Sequence, residues 1–122
     1  MIIDKNVHRG EIYLVDFKKN EGSEQNGVRP ALVVQNDVGN LHSPTTIVCP
    51  LTTQLKNMNA THLQLFPDEC GILKTSYVLC EQIRAIDKSR IKRRIGSVLS
   101  LEKMKKIDKK IMISFGINQL DI

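Results

Sequence analysis

Arg29-Pro30-Ala31-Leu32-Val33-Val34 decides how the rest of this chain is read. Its last four residues form an unbroken apolar run. The run is too short for a helix, so it predicts a central strand buried on both faces. Pro30 carries no N–H and is expected to begin that strand rather than sit inside its ladder. Arg29 is then held at the strand's mouth, because a guanidinium does not follow an apolar run into a core. Upstream, residues 18–28 include Gly22, Ser23, Asn26 and Gly27 and read as a long mobile loop. Before that loop, Ile12 and Leu14 alternate with Tyr13, Val15 and Phe17. Residues 11–17 are therefore a strand with two partly apolar faces.

Downstream, Gly39, Asn40 and Pro44 mark residues 37–44 as a turn region. Residues 45–51 are β-branched and apolar, a strand with Pro50 near its end. Residues 61–65 alternate and predict a shorter strand, and residues 67–71 a turn. Residues 76–86 read as one long strand and 91–99 as a weaker one. Roughly six short strands spaced by turn signals fit a small barrel. One helix follows. Ser100 can cap it, and Glu102 lies in its first turn, where the helix dipole favours an anion. Leu101, Met104, Ile107, Ile111 and Phe115 recur at helical spacing, and Gly116 is a natural stop. This helix is expected to lie across the sheet with its lysines in water. The whole chain, residues 1–122, reads as a single domain.

Composition narrows the function classes. Aromatics make up only 4%, so the core is built from Val, Ile and Leu. The opening residues are too few and too polar for a signal peptide, and no apolar run approaches a membrane span of roughly 20 residues. A cytoplasmic protein without membrane association is expected. Cys49, Cys70 and Cys80 show no CxxC spacing, and a zinc site would need His62 as fourth ligand, so buried thiols and no metal are expected. The net charge is +5. Residues 87–110 carry ten basic and three acidic side chains, and the rest carries eight and ten. A basic final third suits a polyanionic partner, or equally a solvated helix face.

Three polar stretches interrupt or flank the strands: residues 22–30, Thr52-Thr53-Gln54, and Glu81-Gln82. Glycines at both ends of the first let the backbone turn sharply or approach a ligand closely. Each also has an ordinary explanation as loop, strand end or solvated strand face. His8, His42 and His62 are not paired by any spacing, so none is expected to be catalytic.

Four ordered blocks point further. Arg9-Gly10-Glu11-Ile12-Tyr13-Leu14-Val15-Asp16 resembles the opening strand of the MazF/PemK toxin family. Gly22-Ser23-Glu24-Gln25 through Arg29-Pro30-Ala31-Leu32-Val33-Val34 resembles that family's most distinctive segment. Pro50-Leu51-Thr52-Thr53-Gln54 and Leu79-Cys80-Glu81-Gln82-Ile83-Arg84 match two further blocks in the same order. The resemblance spans nearly the whole chain. It implies a mainly β fold, a compact SH3-like or CcdB-like β-barrel with a C-terminal α-helix, usually a homodimer. It implies sequence-selective cleavage of single-stranded RNA, chiefly mRNA, by attack of the 2′-hydroxyl, without a metal or other cofactor. It also implies a cognate antitoxin that covers the RNA surface.

By position the resemblance makes Arg29 and Thr52 the catalytic pair, and Ser23, Gln25, Ser76, Glu81 and Gln82 the RNA contacts. A guanidinium holds its proton, so charge stabilisation suits Arg29 better than general-base work. Glu24 is the nearest carboxylate in sequence, a candidate base or a residue that shapes the loop. Val28 stands where some members carry a histidine, which closes that route. Residues 55–60 depart from the proline-bearing loop of close relatives, so base preference does not carry over. Two other classes remain: a gyrase-binding toxin of the same fold, which lacks the Arg/Thr pair, and a non-catalytic RNA-binding barrel.

Overall fold

A computed structural model describes residues 6–19 and 21–117. The strands are β1 (Glu11–Asp16), β2 (Val28–Val33), β3 (Thr45–Thr52), β4 (His62–Leu65), β5 (Ser76–Leu79), β6 (Arg84–Asp87) and β7 (Ile91–Ser97). Two short helices, α1 (Asp37–His42) and α2 (Pro67–Cys70), and a long one, α3 (Leu101–Ser114), complete the order. The antiparallel sheet runs β4-β5-β3-β2-β1-β7, with β6 paired to β3. Among the described residues no pairing joins β7 to β4, so the sheet is curved but open and "barrel" describes it loosely.

β1 and β2 divide the interior. Ile12 and Leu32 point into one cluster, together with Cys49, Leu51, Val78, Met104 and Ile107. Tyr13, Val15, Phe17, Ala31 and Val33 point into a second on the opposite face. This explains the two apolar faces of β1 and the continuous run in β2, since each strand is covered on both sides. α3 covers the first cluster. Ser100 caps it by accepting a hydrogen bond from the Lys103 N–H at 3.1 Å. The Arg9 guanidinium clamps it, bonding both Asp108 and the Val34 carbonyl. Met104 and Ile107 are buried, but Leu101 is 79% and Phe115 59% exposed, because the apolar stripe outruns the cluster beneath it. Most helix lysines face water, as expected. Lys103 instead pairs with Glu69 of α2 at 3.0 Å.

Three expected turns and strands downstream of β2 need correction. Residues 37–44 are not only a turn. Asn36 accepts the Gly39 N–H at 2.8 Å and so caps α1. Within residues 67–71, Pro67–Cys70 form α2, closed by Gly71 in the left-handed region (φ 82°). Residues 76–86 are not one strand. β5 and β6 both pair along β3, β6 with Thr45–Val48 and β5 with Leu51 and Thr52, and a 3-10 turn at Cys80–Gln82 separates them. Proline supplies a reason. The Val34 N–H bonds the Ile47 carbonyl, so Ile47 and Cys49 address β2, while Val48, Pro50 and Thr52 address the other edge. Pro50 therefore offers no donor to the edge where the turn sits.

Close packing also fixes β7. A Cβ added to Gly96 would stand 2.2 Å from the Cys70 carbonyl oxygen, so strand and helix end meet only because the side chain is absent. Gly96→Ala is expected to destabilise the fold by about 1–3 kcal/mol, the usual cost of overpacking. Urea unfolding measures it, and an unchanged midpoint would contradict the close approach.

Candidate functional site

Pro30 shapes the centre of the site. It lies inside β2, opposite Leu14 of β1, rather than at the strand's start. By the alternation set at Val34 and Ile47, its nitrogen faces Leu51 of β3 but carries no hydrogen. Pairing between β2 and β3 accordingly ends at Ala31↔Pro50. Extending that register by two positions sets Arg29 across from Thr52. Both lie on the face of Ala31 and Pro50, just where the ladder has opened. β1 still holds Arg29 in place through the Val15↔Arg29 pair.

Arg29 is exposed, and its Nε donates to the Asn26 carbonyl at 3.1 Å. That bond orients the guanidinium plane. Its two terminal nitrogens make no hydrogen bond to the described residues, so the fork faces outward. Thr52 closes β3 with a tight turn: its Oγ1 accepts the Gln54 N–H and its hydroxyl donates to the Gln54 carbonyl, both at 3.2 Å. The oxygen is fixed, and its proton serves a substrate only by turning away from the Gln54 carbonyl.

Beside this pair lies a cavity of about 450 Å³, lined by Glu24, Gln25, Pro50, Glu81, Gln82 and Arg84, with Phe17 in its wall. Gln82 joins its two sides. The side-chain oxygen accepts the Gln25 N–H at 3.2 Å, and its amide donates to the Ser23 carbonyl at 3.4 Å. The loop expected to be mobile is thus fastened at its middle, and at its base by paired bonds between Phe17 and Gly27 and between Gly27 and Lys18, both 2.9 Å. The 3-10 turn that breaks the long strand is what aims Glu81 and Gln82 here. Ser23, Glu24, Gln25, Glu81 and Gln82 therefore come together. Ser76 does not join them. It is only 5% exposed, donates to the Lys74 carbonyl at 2.9 Å, and lines a separate groove of about 510 Å³ with Thr53 and Arg93.

His62 supports Glu81 from below. It is 4% exposed, and its Nδ1 accepts the Asn59 N–H at 3.2 Å. Nε2 is then the protonated nitrogen and donates to Glu81 at 3.0 Å, with Thr61 adding a hydroxyl at 3.2 Å. Both ring nitrogens are committed. Cys49, Cys70 and Cys80 are buried free thiols, and Cys80 beside it, together with burial, pushes the Cys49 thiol up. No metal-holding group of His, Cys, Asp or Glu occurs among the described residues. None of their helices is long and apolar enough to cross a membrane.

Sequence reasoning missed two groups here. Arg84, inside a recognised block but given no role, lines the cavity with its guanidinium 5.4 Å from the Phe17 ring centroid. Tyr77 pairs directly with Thr52 across the sheet. The alternation of β5 could have placed Tyr77 opposite Ser76, but only the register shows which residue it faces.

The family of PemK-like, MazF-like toxins of type II toxin-antitoxin systems matches residues 8–115. Endoribonuclease MazF of Staphylococcus epidermidis is 40% identical over 116 residues, covering 94% of this chain and 96% of that protein. MazF from Deinococcus radiodurans superposes with a TM-score of 0.78 at 24% identity, covering 93% of this chain and all of that one. A mycobacterial endoribonuclease in complex with its cognate antitoxin gives 0.73 at 25% identity, over 92% and 97%. With nearly its whole length matched, this chain belongs to the PemK/MazF family of type II toxin–antitoxin toxins.

Proposed function

We propose that this chain is a sequence-specific endoribonuclease toxin that cuts single-stranded RNA, chiefly mRNA, without a metal ion. The observation that carries this reading is the alignment of Arg29 and Thr52 at the opened end of the β2–β3 ladder. The 2′-oxygen attacks the adjacent phosphorus and forms the O2′–P bond as its proton leaves to a base. The P–O5′ bond then breaks, and the departing 5′-oxygen takes up a proton. The products are a 2′,3′-cyclic phosphate and a 5′-hydroxyl. Negative charge grows on the non-bridging oxygens during attack. The outward fork of Arg29 can donate two hydrogen bonds to them, and the Thr52 hydroxyl, once turned from the Gln54 carbonyl, a third.

Glu24 is the base we assign to the 2′-hydroxyl proton. Its side chain lines the cavity and makes no hydrogen bond to the described residues. Glu81 is less suited, being engaged by His62 and Thr61. Ser23, Gln25, Glu81 and Gln82 form the reading surface for unstacked bases. RNA that extends round the end of β5 reaches Ser76, where Arg93 can hold a flanking phosphate. The related mycobacterial complex supports a cognate antitoxin as partner, and we infer that it covers this face and that the working form is a homodimer.

A chimeric RNA cleavage assay in EDTA tests the reading. Cleavage that persists, with a cyclic phosphate end, is expected. Intact RNA would favour a gyrase-binding toxin or a non-catalytic RNA-binding barrel. Activity lost in EDTA would contradict the metal-free mechanism. RNA affinity is also expected to fall with added salt, because Lys92 and Arg93 project from β7, Arg84 lines the cavity and Arg29 is exposed beside it. A flat response of dissociation constant to salt would mean that few phosphates are held.

A further inference from the structure

We propose that Tyr77 is a stacking platform for the RNA base beside the cleaved phosphate, an inference that rests on the endoribonuclease reading above. Tyr77 is the direct cross-strand partner of Thr52, and Gln64 of β4 is the partner of Tyr77 on its other side. Paired residues in an antiparallel ladder point to the same face. Gln64, Tyr77, Thr52 and Arg29 therefore form one row across four strands, on the face that carries Pro50 and the cavity. Neighbouring strands lie about 4.8 Å apart, so the Tyr77 ring sits one strand spacing beyond Thr52. A phosphate held between Arg29 and Thr52 places the base of an adjoining nucleotide over that ring.

The other aromatic side chains are poorly placed for this task. The chain has three Phe, two Tyr and no Trp. Tyr13 and Phe17 are buried in the second cluster. Phe66 precedes α2 and Phe115 ends α3, both outside the row. Tyr77 is half-buried, which fixes the ring's base while leaving part of it to solvent. The Gln64 amide donates to its hydroxyl at 3.4 Å and steadies its orientation. A single strand of RNA offers unpaired bases, and a fixed aromatic surface is a common way to hold one.

Steady-state cleavage by the full chain, compared with Tyr77→Leu and Tyr77→Phe, tests the assignment. Leucine keeps apolar bulk and is expected to raise KM by about 5- to 150-fold, the usual effect of losing one stacked base, with kcat little changed. Phenylalanine is expected to restore the wild-type KM, because stacking needs the ring and not the hydroxyl. Tyr77→Trp adds a direct probe, since the chain has no tryptophan of its own. Its fluorescence should be quenched by an RNA carrying one 2′-deoxy nucleotide at the mapped cleavage position, which binds but cannot react. A Tyr77→Leu protein that is folded by circular dichroism and has wild-type KM overturns the proposal, as does unquenched Tyr77→Trp at saturating RNA. Should the wild-type chain cut no RNA at all, the endoribonuclease reading falls and takes this inference with it.

Discussion

Arg29→Ala is expected to abolish RNA cleavage while leaving the protein folded. Arg29 sits at the opened end of the β2–β3 ladder, with one bond from Nε to the Asn26 carbonyl and its outer nitrogens turned to solvent. Loss of one well-placed donor to a developing oxyanion costs about 2.7–4 kcal/mol of barrier, or roughly 10²–10³ in kcat. Arg29 supplies two such donors and the positive charge, so the effect belongs at or beyond the upper end of that range. Stability should hardly move, because exposed substitutions away from caps and networks usually stay within about 0.5 kcal/mol. Single-turnover cleavage together with urea unfolding separates the two effects. Turnover near the wild-type rate would remove Arg29 from the chemistry.

Phe17→Ala is expected to give the largest loss of stability. Phe17 is fully buried in the second cluster, on the side of β1 that also carries Tyr13 and Val15. Truncating a buried Phe costs about 3–5 kcal/mol, against a total stability of about 5–15 kcal/mol for an ordinary domain. Activity should fall as well, because the ring forms part of the cavity wall and carries the Arg84 guanidinium. Arg84→Ala separates these contributions: it removes the cation and leaves the core. In urea the Phe17→Ala midpoint should drop sharply with an unchanged slope. A loss below about 1 kcal/mol would mean that this core collapses around the gap or is loosely packed.

Much of this architecture can be read from residue order because its signals are local. The apolar run after Pro30, the alternation in β1 and the capped heptad-like stripe of α3 each announce an element by its own period. The Asn36 cap and the Pro67 and Gly71 pair were also local, but such short helices differ from turns by only a few hydrogen bonds and are easily read as turns. The split between β5 and β6 was not legible. It depends on Pro50, thirty residues away, facing that edge of β3 without a donor. The same limit applies to the site. Family likeness named Arg29 and Thr52, but their opposition follows from a register that pairs Ala31 with Pro50. Ser76 and Tyr77 are adjacent in the chain and face opposite ways, so neighbouring letters belong to different surfaces. His62 looked like a lone histidine and is a buried support for Glu81.

The central claim is that one phosphate is held by Arg29 and Thr52 together. A crystal structure of this chain with RNA bearing a single 2′-deoxy nucleotide at the cleavage position tests it most directly. The expected result is one phosphate with its non-bridging oxygens within about 3.2 Å of the Arg29 guanidinium and the Thr52 Oγ1. A bound strand whose cleavable phosphate lies away from both side chains, or reaches them only at different phosphates, would contradict it.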